Sequence, residues 1–381
     1  MLELLGLSVF GTVALKVFKK SSPNGKLTVY LGKRDFVDHL GQIDPIDGVV
    51  VVDTDYLQSK KVFGLVNTIF RYGRESDETM GLKFSKEMCL GFGQIHPSKQ
   101  GTAVTPLQEK LIKKLGANAY PFFFELPSTS PTSVTLQPGS SDTGKPLGVE
   151  YDLKTWIGDS KEEKPHKRSS VSMAIRKVQY APVEKGSRQP SAIVSKGFAL
   201  TKGKINLEVT LDKDLYYHGE RVTADVRVSN NSRKTVKCFK VGIIQHCEVT
   251  VVNAQFSREV ASLQTKEGCP ITPGASLNKQ FFLTPVAGDN KKKEGVALDG
   301  RIRDEDANLA SSTLLPPGDN GNNAYGIIVS YTLRVRLNCG YLGGEIEADL
   351  PFKLLHPAPG KIPLNYFPDP EIRKFAEILC E

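Results

Sequence analysis

Val222-Thr223-Ala224-Asp225-Val226-Arg227-Val228-Ser229 places an apolar side chain at every second position and a polar one between. That is the period of a strand with one buried and one wet face. The same rule runs through Leu27-Thr28-Val29-Tyr30-Leu31 and through Ile346, Ala348 and Leu350. Turn chemistry separates such runs at Pro23-Asn24-Gly25, Pro138-Gly139, Asn230-Asn231 and Pro273-Gly274, at intervals suited to stacked antiparallel sheets. The expected class is all-β, built from antiparallel β-sandwiches.

A chain of 381 residues is too long for one such core at ~100–200 residues per domain. Leu27-Thr28-Val29-Tyr30-Leu31-Gly32-Lys33 is echoed by Leu207-Glu208-Val209-Thr210-Leu211-Asp212-Lys213. Each copy is followed by an aromatic residue and a histidine, Phe36 and His39 in the first and Tyr216 and His218 in the second. A stretch rich in proline and charge, 181–190, lies midway. We therefore expect a first sandwich over 1–182, a hinge at 183–190, a second sandwich over 191–358 and a tail at 359–381.

One segment breaks the strand period. Leu107, Leu111 and Leu115 recur every four residues, with Lys110, Lys113 and Lys114 between them, which predicts a leucine face and an ammonium face on a helix over 106–115. Thr105 with Gln108 makes a capping box, Pro106 takes the first helical position, and Gly116 supplies the stop. This is the single short amphipathic helix expected in the first sandwich. Stretches 127–146 and 159–168 read as surface loops. Residues 1–15 are apolar, but they carry Glu3 instead of a basic leading segment and are too short to span a bilayer. They read as an extension running into the first strand.

The 50 basic residues exceed the 42 acidic ones by a net charge of +8, a modest and local excess that suits a specific anionic partner surface better than nucleic acid. Six cysteines without a C-x-x-C pair read as reduced, cytoplasmic thiols with no zinc or redox chemistry. No nucleophile elbow, phosphate loop or metalloprotease helix is present. Gly91-Phe92-Gly93-Gln94 lacks the third glycine of a dinucleotide loop, and His246 and Cys247, adjacent in a strand, face opposite ways. The expectation is a non-enzymatic protein with no cofactor and no metal. The charges that stand out are Lys33-Arg34-Asp35 and the run Asp299-Gly300-Arg301-Ile302-Arg303-Asp304-Glu305-Asp306. If such carboxylates were buried each would need a cation, because removing one partner of a buried pair costs ~3–5 kcal/mol. A latch held by charge follows from that reading.

Val17-Phe18-Lys19-Lys20, Tyr30-Leu31-Gly32-Lys33-Arg34-Asp35-Phe36, Phe70-Arg71-Tyr72-Gly73, Leu111-Ile112-Lys113-Lys114-Leu115-Gly116, Tyr216-Tyr217-His218-Gly219-Glu220 and Ala297-Leu298-Asp299-Gly300 resemble the arrestins. The resemblance runs in order across 17–357 and is nearest to the arthropod sensory branch, visual or antennal. It implies two β-sandwiches joined by a hinge. It also implies a binder of activated, phosphorylated G-protein-coupled receptors, rhodopsin-like or olfactory, that blocks G-protein coupling and is recruited from the cytoplasm to the receptor membrane, with lipid contact at loops. An arrestin-like trafficking scaffold is the alternative; the match at the loop 72–85 and the missing clathrin box count against it.

Residue by residue, the resemblance assigns receptor phosphate to Lys19, Lys20, Lys113 or Lys114, and Arg303. It assigns entry into the receptor cavity to a finger loop containing Tyr72, Gly73, Met80, Gly81 and Leu82. A hydrophobic clasp would join Ile372 and Phe375 of the tail to Val17, Phe18, Leu107, Leu111 and Leu115. A polar core would join Asp35, Asp299 and Asp306 to two arginines, but the strand position matched by motif is Ser172 and the tail position is Glu377. The resulting expectation is a latch without its arginines, a loose basal state, and binding driven more by receptor activation than by phosphate. Clathrin and adaptor binding by the tail is not expected.

Overall fold

The computed structural model describes residues 17–39, 42–78, 83–98, 104–181, 188–198, 202–300, 308–314, 326–340 and 343–357. The first half holds strands β1 (Phe18–Ser21), β2 (Leu27–Leu31), β3 (Asp35–Asp38), β4 (Ile46–Val52), β5 (Lys61–Arg71), β6 (Ser85–His96), β7 (Ala119–Phe124), β8 (Val134–Leu136), β9 (Gly148–Gly158) and β10 (Ser170–Gln179). Helices α1 (Thr54–Leu57) and α2 (Pro106–Leu115) lie among them. The second half holds β11 (Ser191–Gly197), β12 (Lys204–Leu211), β13 (Leu215–Tyr217), β14 (Val222–Asn230), β15 (Cys238–Val249), β16 (Ala254–Thr265), β17 (Ser276–Leu283), β18 (Ala297–Asp299), β19 (Ile327–Asn338) and β20 (Glu345–Leu355).

Alternation decides the packing. Leu27, Val29 and Leu31 of β2, and Val222, Ala224, Val226 and Val228 of β14, are all buried, while the residues between them are wetter. The first sandwich sets the sheet β1-β2-β4-β7 against β18-β8-β9-β10-β3, which is extended by β5 and β6; the second sets β11-β12-β14-β17 against β13-β20-β19-β15-β16. The internal echo is topological as well as textual. In each sandwich the echoed strand leads into a short one that pairs in parallel, β3 with β10 and β13 with β20, and Phe36 and Tyr216 plug the two cores.

Helix α2 forms as its sequence predicts, with the Thr105–Gln108 capping box and Gly116 in the left-handed region at φ 89°. It lids the outer face of the β1-β2-β4-β7 sheet. Leu111 packs with Val49 and Ala119, and Leu107, Ile112, Leu115, Val17, Tyr30 and Val51 close the rim. Buried Gln108 donates to the Gly48 and Phe122 carbonyls at 3.2 and 2.7 Å. Helix and sheet approach closely at Gly32, where a Cβ would come within 2.6 Å of Leu107. The first sandwich also contains α1, one turn capped by Asp53, so its helix is not single; one turn is too short to carry a periodic signal. Among the described residues no helix is long and apolar enough to cross a membrane.

The stretch 127–146 is not wholly a surface loop. Its centre is β8, buried at all three positions, and its partner is β18, which arrives from beyond β17 to pair Ala297 with Leu136 and Asp299 with Val134. Three residues are too few for alternation to register, and the pairing strand lies far along the chain. From the other side, the Gln245 amide of β15 donates to the Ala297 carbonyl (2.9 Å) and accepts its N–H (2.7 Å). The ends of β10 and β20 also meet, with the Ala181 N–H donating to the His356 carbonyl at 2.8 Å. The two sandwiches are thus tied through backbone hydrogen bonds.

Leu111→Ala should lower unfolding free energy by about 2–4 kcal/mol, read by denaturant titration, with the largest rise in amide exchange along α2.

Candidate functional site

The parallel register of β3 and β10 sets Arg176 beside Asp35. The guanidinium grips the carboxylate with two prongs, Nε to Oδ1 at 2.5 Å and Nη2 to Oδ2 at 2.8 Å, and its Nη1 donates to the Gly300 carbonyl at 3.1 Å. One side chain therefore joins two strands to the backbone that leaves β18. Fork-to-carboxylate geometry of this kind is specific to arginine. Arg176 is 17% exposed and Asp35 42%, so water screens the pair and its worth is about 1 kcal/mol rather than that of a dry ion pair.

This corrects the expectation that Ser172 leaves Asp35 without a strand arginine. Ser172 pairs with Lys154 in the register of β9 and β10, and its hydroxyl donates to Asp152 at 2.5 Å. At ~3.3 Å per strand residue it sits about 13 Å from Arg176. Matching by motif picked the position, whereas the parallel register picks the partner. The ground for a latch without an arginine is thereby removed. The neighbouring cations serve other groups: Lys33 pairs with Asp44 at 2.7 Å, and Arg34 donates to the Ala174 carbonyl at 2.8 Å while lying over the Phe18 ring.

Asp299 lies in a strand and is 3% exposed. His356 Nε2 is 2.6 Å from its Oδ2, the Ser311 N–H donates to its Oδ1 at 2.9 Å, and His218 Nε2 is 4.0 Å from Oδ2. Burial opposes ionisation, but the His356 imidazole, with His218 and the Ser311 amide, outweighs it and holds the carboxyl below the usual range. Burial, aided by the His356 charge, pushes His218 down to about 3, against the pull of Asp299, so its imidazole is neutral. Sequence motifs singled out His218 and Asp299 separately, but nothing joined them to each other or to His356, because the three residues lie in distant segments. Asp306 and Arg303 lie outside the described residues.

On β1 Lys20 is exposed and Lys19 half-buried, and the Lys20 ammonium donates to the Ser172 carbonyl, which lays this edge across β10. Beneath it, burial raises the carboxyl pKa of Asp152 against the Ser172 hydroxyl and the charges of Lys154, Lys20 and Lys145. Lys145 and Lys154 join the basic surface here, and no motif had singled them out. Lys113 and Lys114 are exposed in the last turn of α2. Val17 is half-buried beside the helix, whereas Phe18, also half-buried, packs against the main core beneath Arg34; Ile372 and Phe375 lie outside the described residues. The β5–β6 hairpin narrows to a neck where the Tyr72 and Gly73 N–H groups both donate to the Phe84 carbonyl, at 2.9 and 3.3 Å. Arg71 pairs with Glu78 at 2.7 Å, and Gly73 lies so near Phe84 that a Cβ would come within 2.5 Å. Met80, Gly81 and Leu82, beyond this neck, lie outside the described residues. His246 hydrogen-bonds Ser257 and Thr332, while Cys247 is buried in the core.

Two family models match this architecture: the N-terminal domain of arrestin (or S-antigen) over residues 27–181 and the C-terminal domain over 201–359. The chain is 64% identical to an arrestin homolog of Locusta migratoria, across 93% of this chain and 87% of that one. It is 59% identical to phosrestin-1 of Drosophila melanogaster (92% and 88%) and 56% identical to the lateral eye arrestin of Limulus polyphemus (93% and 87%). The chain belongs to the arrestin family, with arthropod arrestins among its relatives, two of them at 59% and 56% identity bearing the names phosrestin and lateral eye arrestin.

Arg176→Gln should speed amide exchange in β3 and β18 together and cost about 1 kcal/mol of stability. Ser172→Ala should leave exchange at β3 and β18 unchanged.

Proposed function

We propose that this arrestin binds an activated, phosphorylated receptor of the rhodopsin-like class in a sensory cell, moving from the cytoplasm to the receptor membrane, and thereby stops G-protein coupling. The observation that carries the proposal is the basic edge where Lys20 crosses Ser172 above Asp152, with Lys145 and Lys154 alongside. A phosphate carries ~1.5–2 negative charges and three acceptor oxygens, which matches several ammonium groups around a strand edge. Lys19, Lys113 and Lys114 extend this surface. The β5–β6 hairpin supplies the element for entering a receptor cavity, since its neck is tied by backbone hydrogen bonds and by Arg71–Glu78.

In this reading the Arg176–Asp35 fork is the closure that receptor binding loosens. Its partial exposure makes it weak enough to exchange partners, and its contact with the Gly300 carbonyl links it to the strand shared by both sandwiches. An anion arriving at β10 competes with Asp35 for the guanidinium.

Co-sedimentation with receptor membranes tests the proposal in four states, inactive and activated, with and without phosphorylation. Binding should be strongest in the activated, phosphorylated state. Lys19→Gln with Lys20→Gln should weaken it about tenfold, and Asp35→Asn should raise binding to the activated, unphosphorylated receptor. Equal sedimentation with inactive membranes would overturn the proposal.

A further inference from the structure

Three side chains in the junction between the sandwiches have no part in the binding surface described above. His218 follows β13, Asp299 ends β18, and His356 follows β20. Their donor atoms all lie within 4.8 Å of one another. The two imidazole rings stand 4.5 Å apart, tilted by 51°, and both present Nε2 toward the same oxygen, Asp299 Oδ2, at 2.6 and 4.0 Å.

We propose that His218, Asp299 and His356 form a binding site for a divalent transition-metal ion of the zinc class, which clamps the two sandwiches together. Two imidazole nitrogens and one carboxylate oxygen are a donor set for zinc and its neighbours rather than for magnesium or calcium. Bonds of ~2.0–2.1 Å in a tetrahedron place ligand atoms about 3.3 Å apart, between the 2.6 and 4.0 Å separations found here. Shifts of about an ångström therefore suffice.

The surroundings prepare the ligands. The Ser311 N–H occupies Oδ1 of Asp299, which turns Oδ2 to the imidazoles, as outer partners of metal ligands commonly do. The Ser311 hydroxyl sits 3.0 Å from His218 Nε2, the ligating atom itself, so a bound ion would displace that hydrogen bond. A dication would take the place of the proton shared between His356 and Asp299, supplying the buried carboxylate with a full counter-charge. His356 is 14% exposed, against 5% or less for the other two, so an ion enters past its ring.

The bound ion would join a strand paired into the first sandwich, through β18 and β8, to two termini of strands in the second. It would stabilise the joined state by mass action and oppose separation of the sandwiches.

The test uses the full chain, stripped with chelator, dialysed, and titrated with zinc chloride. One zinc per chain should be retained by metal analysis, and the thermal midpoint should rise by about 4 °C or more at saturation, with no rise in magnesium chloride. Cobalt(II) in place of zinc should give a ligand-field absorption spectrum of nitrogen and oxygen donors without thiolate charge transfer. His356→Gln, at the most exposed of the three positions, should abolish both the retained zinc and the midpoint shift, whereas the surface change His166→Gln should alter neither. If His356→Gln does not fold, the cobalt spectrum of the unaltered chain decides. Failure to retain one zinc per chain, equal zinc binding by folded His356→Gln, a thiolate spectrum, or an equal response to magnesium would each overturn the proposal and leave the triad a hydrogen-bonded network.

Discussion

A carboxylate stripped of water stays ionised only where neighbours replace the hydration it lost, and Asp299 sits where neighbours from both sandwiches converge. Its partners come from the turn after β13, from the segment after β18 and from the end of β20. The strand that carries it pairs with β8 of the first sandwich and is gripped by Gln245 of the second. Satisfying this one charge therefore requires both halves of the chain to be folded and in register. Breaking the arrangement would strand a charge in a dry place, which is costlier than losing an exposed ion pair.

The Arg176–Asp35 fork sits a short way along the same structure and has a different character. It is wet enough to exchange partners, and it touches the backbone at Gly300, next to Asp299. The junction thus combines a deep charge that fixes the arrangement with a shallow pair screened by water.

Much of this could be read from the residues. Alternation in β2, β14 and β20 sufficed for the class of fold, because a period of two has few competing explanations. Helix α2 was legible in detail, since capping box, proline and glycine each act within one turn. Even the echo of residues 27–33 at 207–213 marked a shared topology. The failures share one cause, which is dependence on distant pairing. β8 is too short for its pattern to stand out in a Ser/Thr/Pro-rich stretch, and both strands that pair with it, β9 and β18, lie further along the chain. Arg176 was passed over for Ser172 because motif spacing counts along one strand, while the partner of Asp35 is chosen by a parallel register between two. The grouping of His218, Asp299 and His356 was invisible for the same reason.

The loan of β18 also governs the order in which the molecule can be completed. During synthesis the first sandwich emerges long before residues 297–299, and over that interval the outer edge of β8 carries unpaired amide and carbonyl groups. An open strand edge is a template for another chain, and long-range pairing is slow to arrive. A chain cut between the two would lack the strand that covers this edge.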